Sequence, residues 1–156
     1  MRAEPVKLGI IGCGNISDAY LNGAARSDLV TVAAVADLVP EVACTKAAAH
    51  GGRAEGVEAL LADTEIAIVI NLTIPAVHAE VSLQAIEAGK HVYSEKPLAI
   101  NLEDGQRIMQ AADEKGAGAG HCPLLLGRGV GRGRAARSGR NAARDRNPFS
   151  NRHSQV

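Results

Sequence analysis

Three stretches of unbroken apolar sequence constrain this chain more than anything else: Val6–Ile11, 29–36 ("LVTVAAVA") and 66–73 ("IAIVINLT"). A strand with one wet face alternates apolar and polar residues. Strand-length runs without alternation belong to strands covered on both faces, as in a parallel sheet flanked by helices. The segments between them read as helices. Residues 15–25 form one. Pro40 suits the first position of another, which runs to Gly51-Gly52. A short helix covers 56–63. Pro75 opens the next, with Gly89 just past its end, and "HVYSEKP" at 91–97 reads as a strand followed by a turn. Asn101 is placed to cap a last helix, with Glu103 and Asp104 in its first turn, where acids suit the helix dipole, and Gly116 ends it. Strand and helix alternate, so the expected fold class is α/β, a doubly wound parallel sheet.

Composition narrows the rest. The chain is 46% hydrophobic, but Tyr20, Tyr93 and Phe149 are its only aromatics, so aliphatic side chains must build the core. No apolar run reaches the roughly 18 residues of a membrane span, and "MRAEPVKLGIIG" passes into a strand without a signal-peptide pattern. Three cysteines without CxxC spacing point to a reducing cytoplasm and away from a disulfide framework or a zinc site. The net charge of zero hides a division. Residues 1–120 carry 9 basic and 16 acidic residues, whereas 121–156 carry 8 arginines and the single acid Asp145.

The first strand runs into Gly12-Cys13-Gly14-Asn15-Ile16-Ser17, a G-x-G-x-x-[small] turn opening a helix. The first glycine permits the tight turn, and the second clears a path for a pyrophosphate. The small third position lets the helix pack close to the strand. The amides around Asn15 and Ile16, at the helix N-terminus, would receive the anion. Asp37 ends the second strand, where a carboxylate can accept hydrogen bonds from an adenosine ribose. It would repel a 2′-phosphate, and Leu38-Val39 supply no cation, so NAD is expected in preference to NADP. Alternatives are a glycine turn without a ligand and a solvated loop aspartate.

A second cluster spans 71–99: Thr73-Ile74-Pro75, then His78, Ala88-Gly89-Lys90-His91-Val92, and Glu95-Lys96-Pro97. With the glycine turn, it resembles the Rossmann-type NAD(P)-binding half of the oxidoreductase family named for glucose–fructose oxidoreductase, inositol dehydrogenase and MocA, over about residues 5–117. The resemblance implies that Thr73 and Pro75 line the dinucleotide groove. It places His78 near the ribose or nicotinamide, with a packing histidine as the alternative, and Glu95 and Lys96 at the nicotinamide end. It makes Lys96 the candidate catalytic residue, its ammonium stabilising charge on a substrate oxygen as hydride leaves. The alternative is a lysine paired with a neighbouring carboxylate. The implied activity is hydride transfer between the cofactor and a sugar, polyol or related hydroxy compound.

Members of that family carry a second domain that forms the substrate pocket. The sequence after Gly116 resembles neither half, so the expected division is a nucleotide-binding domain at 1–117 and an Arg/Gly-rich, disordered tail at 118–156. A frameshift near 117–121 in a GC-rich gene would account for it. "HCPLLLGRG" permits a back-translation whose next frame reads T-A-P-x-F-L-G-A-G, close to the "APDTFLGAG" of some members. On this reading a small-molecule substrate binds only with the second domain present, and the chain as written does not turn over. Alternatives are a non-catalytic dinucleotide-binding module and, less favoured, a basic tail on nucleic acid, where Phe149 alone could stack a base.

Overall fold

The computed structural model describes residues 4–121. The elements run β1 (Val6–Ile11), α1 (Ser17–Ala25), β2 (Val30–Ala36), α2 (Pro40–His50), β3 (Arg53–Ala54), α3 (Val57–Ala62) and β4 (Ile68–Asn71). A 3-10 turn (Pro75–Val77) follows, then α4 (His78–Glu87), β5 (His91–Ser94), α5 (Leu102–Lys115) and β6 (Ala119–His121). The six strands form one sheet in the order β3-β2-β1-β4-β5-β6. Every neighbouring pair is parallel.

The unbroken apolar runs sit where both faces are covered. Leu8, Ile10, Val35, Ile70 and Leu72 pack with Leu21 of α1 and Ala43 of α2. On the opposite face Ile11, Ala34, Ala36, Val69 and Val92 meet Leu60, Ile86 and Ile108 of α3, α4 and α5. Ile10 is fully buried at the centre, and such a side chain contributes about 1.5–3 kcal/mol by leaving water. Gly9 fits this packing, because a Cβ there would stand 2.6 Å from Leu60 Cδ2.

Strand β1 and helix α2 have the ends expected from sequence. Helix α5 is capped as expected: Asn101 Oδ1 accepts from the Asp104 amide at 2.8 Å, and Gly116 ends it in the left-handed conformation at φ 64°. Two strands were not expected. Arg53–Ala54 pairs with β2 at one edge. At the other edge Ala119–His121 pairs with β5, so the alternation continues past residue 117. Low strand propensity in "GAGAG" is overridden by pairing: Val92 N donates to Gly118 O at 2.8 Å, and Gly118 N donates to His91 Nδ1 at 2.7 Å. The remainder of the expected tail, 122–156, lies outside the described residues.

Among the described residues no helix is long and apolar enough to cross a membrane, and no cluster of three or more His, Cys, Asp or Glu could hold a metal.

Candidate functional site

The chain leaves β1 toward β2 and β3 on one side, and returns to place β4 on the other. The connections leaving the carboxyl ends of β1 and β4 therefore run to opposite faces of the sheet, which is where open α/β sheets hold ligands. A groove of about 470 Å³ opens there. Gly12, Gly14 and Asp37 line it with Thr73, and Leu38, Val57, Leu72, Ile74, Val77, Glu80 and Val81 complete its walls.

The two glycines serve different ends. Gly12 has φ +99°, and a Cβ there would lie 2.6 Å from the Leu72 carbonyl carbon, so the protein's own backbone demands glycine. Gly14 has an ordinary φ, and a Cβ there would meet nothing within 4 Å. The space it keeps free belongs to the groove. Helix α1 begins at Ser17, later than the expected residue 15, because Ser17 closes a turn onto Gly14: its amide and its Oγ donate to Gly14 O at 3.0 and 2.6 Å. No side chain caps α1. The amides of Gly14, Asn15 and Ile16 have no acceptor among the described residues. Free amides at a helix N-terminus beside an open glycine fit a pyrophosphate.

Asp37 lines the groove and also braces the turn. Its Oδ2 accepts from the Cys13 amide at 2.7 Å, and its Oδ1 from the Val39 amide at 2.9 Å. Burial pushes the Cys13 thiol up to about 11, with the Asp37 carboxylate adding to the shift. Cys13 therefore stays a thiol and no nucleophile at neutral pH.

The loop after β4 is held by fully buried Asn71, whose Oδ1 accepts from Thr73 Oγ1 at 2.6 Å and the Thr73 amide at 3.2 Å. Asn71 Nδ2 donates to His78 O at 3.0 Å and to Ser82 Oγ at 3.1 Å. His78 is 1% exposed, with Nδ1 2.6 Å from Pro97 O and Nε2 2.8 Å from Thr73 O. Its ring nitrogens thus face backbone carbonyls. In the loop after β5, Glu95 Oε1 accepts from Tyr20 Oη at 2.5 Å and Oε2 from the Lys96 amide at 3.2 Å. Lys96 is exposed, precedes a cis peptide bond to Pro97, and its ammonium has no partner among the described residues.

The structure thus gathers Gly12, Gly14, Asp37 and Thr73 around the groove, while Asn15, Ile16, Pro75, His78, Glu95 and Lys96 do not line it. Sequence reasoning missed the apolar wall and Glu80, as well as Tyr20 and Asn71. Asn71 had a local signal, a polar residue interrupting the apolar run 66–73. Tyr20 had none, because its partner lies 75 residues away.

Comparison with known proteins agrees with this geometry. Residues 6–120 match the family described as "Oxidoreductase family, NAD-binding Rossmann fold", GFO_IDH_MocA. The 1,5-anhydro-D-fructose reductase of Ensifer adhaerens is 36% identical over 110 residues, which are 69% of this chain and 33% of that protein. The inositol 2-dehydrogenase of Salmonella typhimurium is 33% identical over 115 residues, 71% of this chain and 34% of that protein. A 3-ketoreductase from Actinomadura kijaniata, solved with NADP and TDP-benzene, superposes with a TM-score of 0.70 at 32% identity. That match covers 75% of this chain and 37% of the reductase. The chain therefore spans about a third of the length of the curated relatives it matches. It belongs to the Gfo/Idh/MocA oxidoreductase family, and residues 6–120 are the NAD-binding Rossmann domain of that family.

Proposed function

We propose that the groove takes the dinucleotide with its pyrophosphate over Gly14 and the first turn of α1, its adenosine ribose on Asp37, and NAD(H) preferred to NADP(H). Gly14 carries this reading: neither backbone conformation nor packing asks for glycine there, yet the residue borders the groove. The preference rests on charge. The Asp37 carboxylate, fixed by two amides, opposes a 2′-phosphate, and Leu38 beside it is 97% exposed and uncharged.

In the whole enzyme the activity we propose is hydride transfer between nicotinamide and a sugar, polyol or related hydroxy compound. The named activities of the relatives support that substrate class. When bound, the cofactor supplies the hydride acceptor or donor. Lys96 then has one role, to set its unpartnered ammonium against charge developing on the substrate oxygen. The Glu95 carboxylate, engaged by Tyr20 and the Lys96 amide, leaves that ammonium free of an internal ion pair. We place the protein in a reducing cytoplasm, which the unpaired Cys13 and Cys44 support.

Calorimetric titration of the chain with NAD+, NADH, NADP+ and NADPH tests the reading. The expected result is binding of both forms, tighter without the 2′-phosphate. Absence of binding overturns the proposal, and preference for NADP(H) overturns the Asp37 argument.

A further inference from the structure

His78 joins two loops that the sequence keeps apart. Its ring lies between the carbonyl of Thr73, in the loop after β4, and that of Pro97, in the loop after β5, at 2.8 and 2.6 Å. A carbonyl only accepts. Whichever ring nitrogen carries the proton therefore donates to one loop, and the doubly protonated ring donates to both.

The ring is seated firmly enough to transmit position. It is 1% exposed at the first residue of α4. Asn71 closes a circuit through it, holding His78 O on one side and the Thr73 amide and hydroxyl on the other. Lys96 lies between two anchored neighbours. Glu95 before it is tied to Tyr20 on α1, and Pro97 after it is tied to His78 on α4. Nothing among the described residues holds the Lys96 ammonium itself. Where that side chain leaves the loop is thus set by the backbone on either side of it.

We propose that His78 is a positioning residue for Lys96, acting through the Pro97 carbonyl and touching neither cofactor nor substrate. The proposal rests on the reading that Lys96 stands near the nicotinamide, outside the walls of the groove described above. It differs from direct ribose or nicotinamide contact by His78, because both ring nitrogens face carbonyls of the protein rather than the groove.

His78→Leu nearly preserves volume but carries no donor, so it holds neither loop. Hydrogen exchange by mass spectrometry on the 156-residue chain reads the clamp without any ligand. The expected result is faster exchange in residues 95–101 with unchanged protection of 30–36 and 68–71. Titration with NAD+ and with ADP-ribose then reads the nicotinamide end. The variant should hold ADP-ribose within about twofold of wild type. It should bind NAD+ about fivefold more weakly, the size of one lost hydrogen bond. Unchanged exchange at 95–101, loss of protection across the core strands, or equal weakening of both ligands would each overturn the proposal. Failure of wild type to bind ADP-ribose would instead sink the dinucleotide reading, while the exchange arm still decides the clamp.

Discussion

Asp37 Oδ2 and the amide of Cys13 lie 2.7 Å apart, so the carboxylate expected at a ribose also holds the glycine turn. Stability and cofactor choice therefore meet in one side chain. Asp37→Ala should lower unfolding free energy by about 1–3 kcal/mol, since two backbone amides lose a charged acceptor. The same variant should narrow the gap between NAD(H) and NADP(H) affinities. Urea unfolding and calorimetry check the two effects separately, and a variant that narrows the gap without losing stability would deny the bracing role.

The two glycines should part company under mutation. Gly12→Ala forces a side chain into positive φ and onto the Leu72 backbone, and should destabilise by at least about 1–3 kcal/mol. Gly14→Ala adds a Cβ that meets no atom of the protein within 4 Å and should keep stability within about 0.5 kcal/mol. Its NAD+ affinity should nonetheless fall about tenfold or more, equivalent to about 1.4 kcal/mol. Comparable unfolding midpoints for the two variants would contradict the assignment.

Cys13 and Cys44 should differ in reactivity. Cys13 is buried with its thiol pushed up to about 11, whereas Cys44 is exposed. Iodoacetamide at pH 8 should label Cys44 first and Cys13 only after denaturant is added, as read by peptide mass mapping. The same shift fixes a sign. Because the native thiol holds its proton more tightly than the unfolded one, the Cys13 contribution is fully present below about pH 9. It disappears as pH climbs toward 11. Cys13→Ser should flatten the alkaline limb of the stability profile.

Asn101→Ala should cost about 1 kcal/mol by removing the cap on α5. Asn101→Ser should recover most of that loss, because serine also accepts from the third amide and sets no second negative charge against the Asp104 carboxylate. Thermal unfolding of the three proteins measures the series.

How much of this was legible in the sequence depends on range. Strand β1, helix α2 and the Asn101 and Gly116 boundaries are written in local patterns: an apolar run, a proline, a capping side chain, a glycine. The two-residue β3 and the glycine-containing β6 carry no such pattern, and they exist because β2 and β5 offer edges to pair with. Within the site, Gly12, Gly14 and Asp37 were readable from spacing, and Thr73 from the family resemblance. The pairing of Tyr20 with Glu95 and the seat of His78 are products of folding across 75 and 19 residues. The buried Lys90, whose Nζ donates to Asp63 O at 2.5 Å, likewise owes its seat to a partner 27 residues away.

The strand order has a consequence for how this protein comes into being. Strand β1 is made first yet sits in the middle, and its second neighbour, β4, begins only at Ile68. On a ribosome, where chains emerge from the N-terminus, one side of "VKLGII" waits unpaired until some sixty further residues have been translated. Contacts this far apart in sequence form slowly and leave apolar strand surface open meanwhile. The hydrophobicity that seals the finished sheet is thus also what a chaperone would grasp while the sheet is half made.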